Sequence, residues 1–113
     1  MSNPAIDISE LKKIMDNDME LIQDCFSIFT DDFPELYENI KKAVYEQNAK
    51  NLDKFSHKLK GSLIYLGAHS ASEAALILES AGRKNRLDNI DKKLETLKNE
   101  CSKVAEYINN FEF

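Results

Sequence analysis

Apolar positions in this chain recur every three or four residues, and no segment sustains an alternating pattern. From Met19 they run Ile22, Phe26, Phe29, Phe33, Leu36, Ile40 and Val44, the spacing of one stripe down one face of an α-helix. Pro34 interrupts that run. It has no N–H for an interior turn, so a kink or a restart is expected near Asp32–Pro34. A second stripe, Leu52, Phe55, Leu59, Leu63 and Leu66, predicts a helix that begins after "EQNA", ends near Leu66 and is stopped by Gly67. "SASEAALILESAG" predicts another, with Ser70 and Glu73 as a capping box, Gly82 as its stop, and alanines that permit close helix packing. The last stripe is Ile90, Leu94, Leu97, Cys101, Val104, Ile108 and Phe111, in a long helix that Asp88 can cap. Upstream, Asp7 with Glu10 makes a capping box for a short helix, and Asn17 with Glu20 can start the long one after it. Four substantial helices joined by short polar turns predict an all-α fold. The expected architecture is an antiparallel up-down four-helix bundle, one domain over residues 1–113, with the short extra N-terminal helix as a lid on one end.

Composition narrows this picture without changing it. Three glycines and two prolines in 113 residues are too few for a turn-rich β protein. A net charge of −5 argues against nucleic acid, which asks for a basic face. No apolar run approaches a membrane span, and "MSNPAIDISELKK" lacks the charged-then-apolar layout of a signal peptide, so a cytoplasmic chain is expected. Cys25 and Cys101 stand far apart at apolar helix positions, as reduced core residues would. An initiating Met and a helix that runs almost to the C-terminus favour a free-standing protein.

Chemistry enters on the face of the second stripe that does not point inward. At about 100° per residue, Leu52, Phe55, Leu59, Leu63 and Leu66 fall in a sector of roughly 80°, while His57 lies roughly 140° from Leu52. Gly61 and Ile64 lie on the same outer face, Lys60 flanks His57, and Lys54 and Lys58 border the other side. Glycine inside a helix costs about 1 kcal/mol relative to alanine, so Gly61 has no local benefit there. An exposed imidazole, a missing side chain above it, a nearby apolar residue and a lysine patch on an acidic protein describe a docking site for an acidic partner. Histidine can act there as a base, a metal ligand or a nucleophile. No metal is expected: Asp53 shares the face with His57, but two ligands make a weak site. A base would want a pocket, which a narrow bundle hardly offers. Capture of a phosphoryl group needs only an exposed nitrogen and a cation such as Lys60 for the added charge. His69, just past Gly67, is given no role.

"SHKLKGSLIYLGA" closely resembles the His-x-Leu-Lys-Gly-Ser…Leu-Gly-Ala signature of histidine-containing phosphotransfer (HPt) domains, the relay modules of multistep two-component signalling. "CFSIFTDDFPELYENIKKAV" is similar to that family's helices before the motif, and "LILESAGR" to its helix after it. The resemblance implies that His57 is the phosphoacceptor, that Lys60 supports the phosphate and that Gly61 leaves room for a receiver domain. It also implies that Glu79 and Arg83 orient the histidine or contact the phosphate, although glutamine often stands where this chain has Glu79. Ser56, where alanine is common, is expected to matter little. Receiver domains of hybrid histidine kinases and response regulators are the partners implied, docking over Gly61, Ile64, Lys54 and Lys58. The chain itself needs no cofactor, with Mg²⁺ supplied by the receiver, and a monomer is expected. Lys58 follows the histidine where kinases commonly have an acidic residue, and no glycine-rich ATP loop exists, so the protein is expected to be a phosphorelay intermediate and not a kinase. Two alternatives remain open at this point: a bundle that binds receivers or another acidic partner without transfer, and a bundle enzyme for a metal or small molecule.

Overall fold

The computed structural model describes residues 4–112; Met1, Ser2, Asn3 and Phe113, part of the span drawn as one domain, lie outside the described residues. Five helices follow one another, with no strand among the described residues: α1 (Ile8–Ile14), α2 (Met19–Tyr45), α3 (Ala49–Tyr65), α4 (His69–Arg83) and α5 (Ile90–Asn110). Helices α2 to α5 form the antiparallel bundle, and every expected stripe turns inward. Ile22, Phe26, Phe29, Leu36, Ile40 and Val44 of α2 are buried, as are Leu52, Leu59 and Leu63 of α3 and Ile90, Leu97, Cys101 and Val104 of α5. No helix among the described residues is long and apolar enough to cross a membrane.

Helix α1 covers the end of the bundle where α3 turns into α4. Asp7 caps it, accepting from the Glu10 N–H at 3.0 Å. The reciprocal half of the expected box is absent: the Asp7 N–H donates instead to Gly67 O at 2.8 Å, and the Glu10 carboxylate meets His69 Nε2 at 2.7 Å. Ile6, Leu11 and Met15 are buried on the inner side of the lid and its flanks.

Several helix ends fall elsewhere than the sequence suggests. Asp18, not Asn17, caps α2, because Asn17 takes the left-handed conformation (φ 58°) that ends the preceding turn. Helix α2 runs unbroken through Pro34. Pro34 is exposed, and the Thr30 carbonyl it leaves without an N–H partner lies on the exposed side of the helix, where water can serve it. The apolar stripe on either side holds the helix against the core. Ser70 is already the second residue of α4, whose cap is Ala68 with no side-chain bond. A Schellman turn at Gly67 (φ 72°) leads straight into that helix, with Ala68 N–H bonded to Leu63 O at 2.9 Å. Asp88 does not cap α5; Asn89 does, in the left-handed region and without a side-chain bond.

Gly82 is not a stop. It lies inside α4, buried, and a Cβ there would stand 2.5 Å from Asp53 N and 2.6 Å from Ala49 O. The α3 and α4 backbones touch at this point, and the buried Ala71, Ala74, Ala75 and Ala81 keep the seam narrow. Asn85 (φ 52°) ends the helix instead.

Candidate functional site

Across this seam α4 aims one buried carboxylate at α3. Glu79 is 1% exposed, and His57, on the opposite wall, is 65% exposed. His57 Nδ1 lies 2.5 Å from Glu79 Oε2, and Lys60 Nζ donates to Glu79 Oε1 at 2.7 Å. Arg83 Nη2 reaches the same carboxylate at 3.7 Å and Asp53 at 3.5 Å. A carboxylate this deep is tolerated only when paired. Burial pushes the Glu79 carboxyl up, but hydrogen bonds from Lys60 and His57, with their charge, outweigh burial and hold it below the ordinary carboxylate value.

That fixes the histidine's chemistry. An ionised carboxylate can only accept, so Nδ1 carries the hydrogen, and in the uncharged ring the lone pair is left to Nε2. Nε2 has no hydrogen-bond partner among the described residues. The ring is therefore held at its inner nitrogen and open at its outer one.

The structure brings His57, Lys60, Glu79 and Arg83 together. Lys60 has a different immediate partner from the one its spacing suggests, since its ammonium is bonded to Glu79 and its side chain is only 21% exposed. The cations left open beside His57 are Lys54 and Lys58, both exposed and without an ion-pair partner among the described residues; Lys54 lies over the Phe55 ring. Ser56, expected to matter little, is fully buried beside them, and its hydroxyl has no hydrogen-bond partner among the described residues.

Gly61 differs from the other two glycines. Gly67 needs its left-handed backbone and Gly82 its missing Cβ, whereas a Cβ on Gly61 would meet nothing within 4 Å. Nothing among the described residues requires glycine there. Gly61 also lines a groove of about 370 Å³ between α2 and α3, walled by Cys25, Phe29, Phe33, Leu59 and Tyr65 with Asp32 at its edge. Ile28, Ile64 and Tyr65 beside it are each more than half exposed. The α2 side of this surface escaped the sequence reading because Ile28 lies off the core stripe. An isoleucine there, beside Cys25 and Phe29, was the available signal.

The Hpt domain family model matches residues 24–107, a span that contains His57, Lys60, Gly61, Glu79 and Arg83. The chain belongs to the Hpt domain family. No curated protein sequence is significantly similar to it. Among solved structures, this Hpt domain is similar to histidine-containing phosphotransfer protein B (HptB) from Pseudomonas aeruginosa PAO1, with a TM-score of 0.77 at 21% identity over 96% of this chain and 94% of that one. At that identity the likeness establishes the shared fold, a helical bundle with the additional short helix at its N-terminus.

Proposed function

We propose that this Hpt domain is a phosphorelay intermediate. His57 accepts a phosphoryl group from the phosphoaspartate of one receiver domain and passes it to another. The observation that carries this reading is the imidazole itself, open at Nε2 and held at Nδ1 by a buried carboxylate. In the forward step Nε2 attacks phosphorus in line, the P–Nε2 bond forms, and the P–O bond of the acyl phosphate breaks to release the aspartate carboxylate. The Nδ1 hydrogen stays in place, so the phosphorylated ring carries positive charge, and Glu79 stabilises it from the opposite edge. Lys60 keeps that carboxylate ionised. It supports the phosphate through Glu79 as well as by its own charge, and Arg83 stands where it can turn outward to a phosphate oxygen.

The receiver's Mg²⁺ neutralises the transferring group, and Lys54 and Lys58 attract the acidic surface that surrounds such a metal. Gly61 gives the receiver its close approach, and Ile64 with the neighbouring groove supplies apolar contact area. This reading places the protein in the cytoplasm, where receivers are phosphorylated, as a monomer between partners.

The test is incubation of the purified chain with phosphorylated receiver domains from its own organism. Transfer should yield an acid-labile, base-stable phosphate on wild-type protein. It should yield none on His57→Gln, which should melt close to wild type because the side chain is exposed. Persistent labelling of that variant, or receiver binding without any transfer, would overturn the relay reading.

A further inference from the structure

At the lid end of the bundle, well along the chain from His57, three ligand-bearing side chains from two elements converge. Asp7 caps α1, Glu10 lies in its first turn, and His69 opens α4, 59 residues beyond Glu10. One ligand atom from each lies within 4.8 Å of the other two. His69 Nε2 is 2.7 Å from Glu10 Oε2, and Asp7 commits Oδ1 to the Glu10 N–H, which leaves its second oxygen available. The backbone on both sides is fixed. The Asp7 N–H donates to Gly67 O at 2.8 Å, and Ile6, Leu11, Leu66 and Ala68 around the three residues are buried. The two backbone segments that carry the donors cannot separate unless the lid lifts.

We propose that Asp7, Glu10 and His69 form a binding site for one divalent cation of the zinc class. The His69 imidazole and two carboxylate oxygens hold it, and water completes a tetrahedron. The mixed donor set is what selects the metal. Imidazole favours Zn²⁺, Co²⁺ or Ni²⁺, whereas Mg²⁺ and Ca²⁺ take oxygen ligands. Zinc bonds of about 2.0–2.2 Å put tetrahedral neighbours roughly 3.3 Å apart, which donors already this close reach by side-chain rotation. Any proton on His69 Nε2 leaves to solvent as the ion enters. Because the set exists only when α1 is seated on the α3–α4 turn, the ion binds the folded chain and clamps the lid.

The experiment uses chelator-treated protein in the His57→Gln background, which removes the other imidazole able to bind zinc. Melting curves are recorded across a ZnCl₂ series, with MgCl₂ as control. Above the dissociation constant, each tenfold rise in zinc should raise the melting temperature by about 5 °C. Magnesium should leave it unchanged, and adding His69→Ala or Glu10→Gln should remove the zinc dependence. Cobalt should broaden amide NMR signals around residues 7–10 and 67–69 of the folded protein. Absence of a zinc-dependent rise, a rise that survives His69→Ala, or broadening centred elsewhere would overturn the site. None of these outcomes depends on phosphotransfer.

Discussion

One methyl group placed at either of two glycines should separate fold from function. Alanine at Gly61 meets nothing within 4 Å, so the variant should gain the helix propensity, about 0.8–1 kcal/mol. For a domain of this size that is a rise in melting temperature of about 4 °C. Alanine at Gly82 gains the same propensity but meets backbone at 2.5 Å (Asp53 N) and 2.6 Å (Ala49 O), well inside the 3.4 Å at which ordinary contact begins. Backbone cannot rotate away as a flexible side chain can, so α3 and α4 must part. Overpacking of this kind typically costs about 1–3 kcal/mol, and a contact this short belongs at the upper end, for a net loss of about 2 kcal/mol or a fall of about 8 °C. The function should follow the seam. Gly82 lies one turn from Glu79 on α4, and Asp53 one turn from His57 on α3, so parting the helices lengthens the 2.5 Å His57–Glu79 bond and slows phosphotransfer. Gly61→Ala should transfer normally, whereas Gly61→Arg should fold and fail to transfer, because its side chain stands over the imidazole one turn below. Thermal melts and transfer assays on the same preparations decide both points. A Gly82→Ala protein that melts at or above wild type would refute the seam argument. A Gly61→Arg protein that accepts phosphate at the wild-type rate would refute the approach gap.

Three further outcomes follow from the two buried polar residues, Ser56 and Glu79. Glu79 is held below the ordinary carboxylate value, so its contribution to stability is fully present above the unfolded carboxyl's pKa and is lost as pH falls through the lower folded one; stability measured from pH 7 down to 3 should decline less steeply in Glu79→Gln. The glutamine carbonyl can still accept from Nδ1–H, so that variant should label, about fivefold more slowly for the exchange of a charge-assisted bond for a neutral one, and an unchanged rate would remove Glu79 from the mechanism. Ser56→Ala deletes a buried hydroxyl that has no partner and should raise stability by about 1 kcal/mol in a urea titration; a loss would mean that the hydroxyl is satisfied in solution.

What could be read from the residues divides along a physical line. Stripes were legible because burial follows rotation about one helix axis, and so was the outward placement of His57, Gly61 and Ile64. Helix ends were less so. Asp16, Asn17 and Asp18 are all competent caps or turn residues, and the choice among them rests on which backbones turn left-handed, here Asp16 and Asn17. Gly82 reads as a stop because it lies near a helix end, yet its cause is the distance between two helices, which no single-helix pattern contains.

Glu79 lies between these cases. Its place in the site came only from the family resemblance, although Ala75, Leu78, Glu79 and Gly82 stand at i, i+3, i+4 and i+7 on one face. A carboxylate on such a face must be buried and therefore paired, and the lysine and histidine of the neighbouring helix were the candidates. The pairing also explains how a carboxylate can stand where glutamine is common, close to the proposed phosphate. It contacts Nδ1, whereas the phosphoryl group would bond Nε2 on the far side of the ring. The phosphorylated imidazole is cationic, so the nearest full charge that Glu79 meets is positive. Glutamine at this position could hold the ring in the same place but could not offset that charge. The difference between the two residues therefore bears on the lifetime of the phosphohistidine as well as on the rate of labelling and the pH dependence of stability.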